Sequence, residues 1–308
     1  MNFMNEQPYT PSYMAQYCDQ EQRVGLKGLT EDEVNNRLDA MIGLFRCLHG
    51  RDVFMKSYEK ELAGRLINKT SLSNQNEEIM IQKLKVECGA SIVGKISQMM
   101  KDIQLSRDIQ NEFAANNGGN NLVGDTEFNI EVLSNGTWPS IEPPALTLPR
   151  ELMSCADRFT IWYKNSNMNK QLTWLYQYGQ VEIQTQYTQA KKYLLTINVY
   201  QACILCLFNQ GVNEITCADI KSQTNMPEEN FKASMMKLCD PKIKVLSKEV
   251  NKPVFRDDEK IKVNEKFNSK MIKMNIIPVK TFKKTTTEKS PEEVKQFNQV
   301  IKERSFVI

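Results

Sequence analysis

The chain has 308 residues, 41% of them apolar, with 40 basic and 37 acidic side chains for a net charge of +3. That exceeds one average domain and supplies enough apolar material for a core, so two or three units are expected. The balanced charge excludes a whole-protein drive toward nucleic acid, no apolar run reaches the length of a membrane span, and the opening MNFMNEQPYTPSYM lacks the basic flank and apolar segment of a signal peptide.

Residues 1–12 are polar with two prolines and are expected to be loose. A short helix is expected over Ser12–Gln22. Thr30 and Glu33 then form a capping box ahead of Val34, Leu38, Met41, Leu44, Phe45 and Leu48, which recur at steps of three and four; Gly50 ends that helix. A second helix starts near Arg51 and carries Val53, Phe54, Tyr58, Leu62 and Leu66. Residues 73–103 give two more helical patterns hinged near Gly89, and a last short helix covers Ser106–Ala114. Amphipathic helices with short connections predict an up-and-down bundle over residues 13–115.

Composition changes at 116–124, NNGGNNLVG, which reads as a flexible linker. Residues 125–199 read as a small α/β unit. Phe128, Ile130 and Val132 alternate with Asn129, Glu131 and Leu133, the period of a strand, and SNGTWP turns out of it. After IEPPALTLP comes a helix over Pro149–Asn165. Leu172–Tyr176 and Val181–Tyr187 read as a hairpin turning near Gly179. The strand opening at Tyr193 sets Leu194, Thr196 and Asn198 on one face and Leu195, Ile197 and Val199 on the other, at least one of them buried, and runs into an apolar helix with no Gly or Pro between. Residues 200–279 give three helices and then a β-ribbon, the winged-helix order, with Thr216 capping one helix and Pro227 opening another. Residues 280–308 read as a solvated linker and a terminal helix. The expected fold is therefore mainly α with a small α+β part: helical bundle, small α/β sheet unit, winged helix.

No catalytic constellation stands out. Cys203 and Cys206 have metal or redox spacing, but no second pair matches them and they sit in an apolar helix, so a core role is expected. All eight cysteines read as reduced thiols, which points to the cytoplasm or nucleus. The sequons at Asn68 and Asn135 are then chance matches. His49 is the only histidine, at a helix end where it meets the dipole. Carboxylate pairs such as Glu77–Glu78 and Asp257–Asp258 read as solvated. In the helix over Glu228–Leu238, Lys232 and Lys237 face Glu228 and Glu229, a poor match for phosphate, so a packed, structural winged helix is expected. Open strand edges can take up a partner strand; from the residues alone, a plain sheet with covered edges is the simpler reading.

Five stretches share a resemblance: RDVFMKSYEKELAGRLI, EEIMIQKLKVECGASIVGKISQMMKDIQLSRDI, FNIEVLSNGTWP, LTWLYQYGQVEIQTQY and TINVYQACILCLFN. In this order they resemble the cullin family, over roughly residues 13–308. The resemblance implies a non-catalytic scaffold without a cofactor of its own. It implies that a RING-box protein adds its N-terminal strand to the α/β sheet, carries the zinc, and recruits a ubiquitin-charged conjugating enzyme. The residues then placed at the partner are Phe128, Ile130, Val132, Trp138, Trp174, Val181 and Ile183. Proline at Ile130 is expected to break that docking and alanine to weaken it less, with Glu131→Ala as a neutral exposed control. A winged-helix nucleic-acid-binding protein, or a truncated cullin acting as a decoy for the RING partner, are the alternatives. The sequence departs from the family twice. It lacks the long N-terminal array of helical repeats, and it stops at ERSFVI where cullins continue into the winged helix that holds the neddylated lysine, so no modification site is expected.

Overall fold

The computed structural model describes residues 3–117, 119, 121–123, 126–139, 145–188, 191–248 and 254–278. The first unit is a helical bundle: α1 (Phe3–Glu6), α2 (Thr10–Gln20), α3 (Glu31–Arg46), α4 (Arg51–Ile67), α5 (Asn74–Cys88) and α6 (Gly94–Asn116). The stretch expected to be loose at the start is thus largely helical. Asn5 ties it down, donating to the Cys47 carbonyl at 2.9 Å and accepting from the His49 backbone N–H at 3.0 Å. The Thr30 capping box opens α3: the Glu33 N–H reaches the Thr30 hydroxyl and the Thr30 N–H donates to the Glu33 carboxylate at 2.8 Å. Apolar residues at helical spacing meet in one core of Leu38, Met41, Phe45, Phe54, Tyr58, Leu62, Met80, Leu84, Ile96 and Met99. Gly89 has φ 85°, the left-handed region that only glycine adopts cheaply, and there the chain leaves α5. Beyond it α6 runs unbroken for 23 residues, absorbing the separate short helix expected at 106–114.

One carboxylate expected in solvent is instead deep in this bundle. Glu77 is fully buried and takes two hydrogen bonds from the equally buried Arg65 guanidinium, at 2.7 and 2.9 Å. The remaining Arg65 nitrogen donates to Asp19 at 2.8 Å, and the Ser71 hydroxyl donates to Glu77 at 2.8 Å. Its neighbour in sequence, Glu78, is exposed. A helix turns by about 100° per residue, so adjacent residues such as these face different environments.

The second unit begins with β1 (Asn121–Val123) paired antiparallel to β2 (Thr126–Glu127), inside and beside the expected linker. Residues 128–134 follow without a strand partner among the described residues. Helix α7 spans Arg150–Ser166. The expected hairpin is displaced: residues 172–175 join no ladder among the described residues, and a 3-10 turn over Tyr176–Tyr178 leads into β3 (Gln180–Thr188), which pairs with β4 (Lys191–Asn198). Gly179 is not the hairpin turn. A Cβ there would lie 2.4 Å from the Val199 side chain, so glycine serves close packing. Strand β8 (Lys273–Asn275) lies parallel on the far side of β4, giving the order β3-β4-β8. Tyr193, Leu195 and Ile197 are buried, as their alternation requires.

The strand-to-helix junction works because Asn198 caps α8 (Val199–Leu207) in a box with Gln201: the Gln201 N–H donates to Asn198 at 2.8 Å and the Asn198 N–H to Gln201 at 3.0 Å. The buried Gln201 amide also donates to the Ile276 carbonyl at 2.9 Å, holding the chain beyond β8 to the helix. After α8 come β5 (Glu214–Thr216), α9 (Cys217–Thr224), α10 (Glu228–Leu238), β6 (Leu246–Lys248) and β7 (Lys260–Val263). The three strands form one antiparallel sheet in the order β5-β7-β6. Ile204, Phe231, Met235, Leu238, Val245 and Ile261 close the core between helices and sheet. The linker and terminal helix expected over 280–308 lie outside the described residues.

Candidate strand-docking site

Helix α6 builds the site. Asp102, Ser106 and Gln110 stand four residues apart and share one face. Residues 128–134 lie along that face in extended form, and the three side chains do what a neighbouring strand would otherwise do. Gln110 donates to the Phe128 carbonyl and accepts from the Ile130 N–H, both at 3.0 Å. Ser106 donates to the Val132 carbonyl at 2.8 Å and accepts from the Val132 N–H at 2.7 Å. Asp102 accepts from the Ser134 N–H at 2.9 Å and the Ser134 hydroxyl at 2.6 Å.

In an extended chain, alternate residues direct their N–H and C=O groups to opposite edges. Residues 128, 130, 132 and 134 are therefore satisfied toward α6. Among the described residues no hydrogen bond reaches the backbone of Asn129, Glu131 or Leu133. The segment has one closed edge and one open edge. Among the described residues strand β3 is also an edge strand.

Asp102 is only 4% exposed. Burial pushes its carboxyl pKa up, but the hydrogen bonds from Ser134, Trp138 and Gln98 outweigh that and hold it below the usual carboxylate range. The Trp138 indole N–H donates to Asp102 at 2.7 Å, and the ring lies in the bundle core. Trp138 thus pins the segment to the bundle.

The other expected residues divide. Phe128, Ile130, Val132 and Trp174 come together, half-buried, on an aromatic cluster of Phe113, Phe159, Trp162 and Tyr163. Phe113 and Phe159 meet edge to face at 5.1 Å, and Trp174 meets Phe159 at 6.1 Å. The Trp174 N–H donates to the Thr160 hydroxyl at 3.2 Å. Val181 and Ile183 pack elsewhere, against the core around α8. The single sheet expected to join 128–133 with 172–185 is therefore absent among the described residues. Two segments that join no ladder among the described residues thus lie on one aromatic cluster, and the second leads into β3.

Sequence reasoning missed Asp102, Ser106 and Gln110. Their signal is a polar stripe at four-residue spacing beside the apolar stripe of Ile96, Met99 and Ile103. The helices α9 and α10 offer little chemistry. In α10, Lys232 pairs with Glu228 at 3.3 Å, and Lys221 of α9 is held by Glu228 and Asp257 at 3.0 and 2.9 Å. Burial pushes the Cys203 thiol up to about 12, so it stays protonated. No helix among the described residues is long and apolar enough to cross a membrane.

Comparison with known proteins bears on the same two units. Residues 1–110 match the model of the cullin alpha solenoid domain, and residues 132–267 that of the cullin alpha+beta domain, so the site lies at their junction. Cullin-3 of Dictyostelium discoideum is 34% identical over 248 residues, covering 80% of this chain and 32% of that protein. Cullin-4A of Mus musculus is 29% identical over 307 residues, covering 99% and 40%. Cullin-3A of Arabidopsis thaliana is 30% identical over 288 residues, covering 93% and 39%. The chain spans about a third to two fifths of the length of these relatives. With both domain models matched in order across most of its length, the chain belongs to the cullin family.

Proposed function

We propose that this chain is a non-catalytic scaffold subunit of a cullin-RING ubiquitin ligase. A RING-box protein docks a strand at the open edge beside residues 128–134 and β3, and its zinc-bound RING recruits a ubiquitin-charged conjugating enzyme. One observation carries the reading: helix side chains close one edge of an extended segment while the other edge and a half-covered aromatic cluster stay open. Backbone pairing then supplies affinity, and the alternate side chains Phe128, Ile130 and Val132 meet the partner's apolar side chains only at their exposed margins. The α8–β7 unit serves as a packed winged helix, and the protein works in the cytoplasm or nucleus.

Coexpression tests this. The chain is expected to co-purify with a RING-box protein. Alone it should leave ubiquitin on a charged conjugating enzyme, and with the partner it should support discharge. Discharge by the isolated chain, or failure of the wild-type chain to retain the partner, would overturn the proposal.

A further inference from the structure

The two open edges share a chemical bias. No Lys or Arg occurs in residues 126–134 or 171–188, whereas Glu127, Glu131 and Glu182 do occur there. The turn that follows α4 touches both stretches. Lys69 pairs with Glu131 Oε1 at 3.0 Å, and the neighbouring Asn68 accepts from the Gln180 amide at 3.2 Å. Glu131 therefore sits where the segment and the start of β3 approach the same two residues.

Its carboxylate is half used. Oε2 of Glu131 is buried with no hydrogen-bond partner, and its salt-bridge partner Lys69 is 70% exposed, which weakens that pair by solvent screening. Two further side chains near these edges are orphaned. Gln177, in the turn that leads into β3, lacks partners at both ends of its amide, and the Thr185 hydroxyl of β3 lacks one as well. Buried polar groups left unpaired are costly, and native structures keep few of them.

We infer that the strand docking at this edge is basic: it brings a lysine or arginine to Glu131 Oε2, on a segment whose other face is apolar, and hydrogen-bonding groups to Gln177 and Thr185. The inference rests on the RING-box reading above and adds the chemistry by which the edge selects its occupant. An uncharged or acidic strand could pair with the backbone equally well but would leave Glu131 unsatisfied or repelled.

The test is coexpression of the full chain with a RING-box protein. Glu131→Lys is expected to retain at least about tenfold less partner than wild type, with Glu131→Gln between the two. Wild-type retention should fall as NaCl is raised from about 50 to about 500 mM. Among partner variants with one Lys or Arg changed to Glu, one should restore retention by Glu131→Lys. If Glu131→Lys keeps its circular dichroism and holds the partner as wild type does, the basic-strand inference is wrong while the docking site stands. Should Glu131→Lys misfold, Glu131→Gln and the salt series decide, and no change in either overturns the inference. A wild-type chain that holds no partner instead overturns the docking reading itself.

Discussion

Replacing Arg65 with methionine is expected to destabilise the bundle by about 3–5 kcal/mol, the usual result of removing one member of a buried ion pair. The side chain is fully buried, as is that of Glu77, and it makes three hydrogen bonds to Glu77 and Asp19. Burial alone would make the guanidinium easier to deprotonate; the bonds to Glu77 and Asp19 outweigh that and keep it charged. Without Arg65 the Glu77 carboxylate keeps only the Ser71 hydroxyl as a donor among the described residues. Asp19 suffers less, because Arg23 also pairs with it at 2.8 Å. The double variant Arg65→Met with Glu77→Leu should recover much of the loss, since matched apolar replacements remove the stranded charge. Urea unfolding followed by circular dichroism measures both. A loss below about 1 kcal/mol in the single variant would put this pair among surface ion pairs in energetic terms, contradicting its burial.

The second large effect is on docking. Asn129→Pro is expected to cut the RING-box protein retained on coexpression by about tenfold or more relative to Asn129→Ala, a difference of about 1.4 kcal/mol. The Asn129 N–H faces the open edge and bonds to nothing among the described residues. Proline there removes a donor only the partner would use and puts its ring where the partner's backbone must approach. Ile130→Pro, the choice suggested by alternation alone, tests something else. The Ile130 N–H donates to Gln110, so that variant detaches the segment from α6 before any partner arrives. Nor is Glu131→Ala a neutral control, because Glu131 pairs with Lys69 and is only 27% exposed. Equal retention by the proline and alanine variants, both folded, would contradict docking at this edge.

These corrections show what was legible in the sequence. Period and caps are local, so the bundle helices, the Thr30 capping box and the passage from β4 into α8 could be read directly. Alternation at 128–132 correctly placed Phe128, Ile130 and Val132 on one apolar face. It could not tell what satisfies the backbone, because period 2 describes side-chain faces and says nothing of neighbours across the edges. Here the neighbour is a helix whose polar side chains lie 18–32 residues earlier in the chain. The bond from Trp138 to Asp102 was not legible for the same reason: the two residues are 36 apart in the chain. Gly179 looked like a turn because close packing on Val199 and a hairpin call for the same residue.

Amide hydrogen exchange resolved by residue tests the central claim most directly. In the chain alone, the N–H groups of Ile130, Val132 and Ser134 should be protected and those of Asn129, Glu131 and Leu133 should exchange rapidly. With the RING-box partner bound, the second set should become protected as well. If Asn129, Glu131 and Leu133 are already protected in the isolated chain, or still exchange rapidly in a complex shown to be intact, the open edge is not where the partner strand adds.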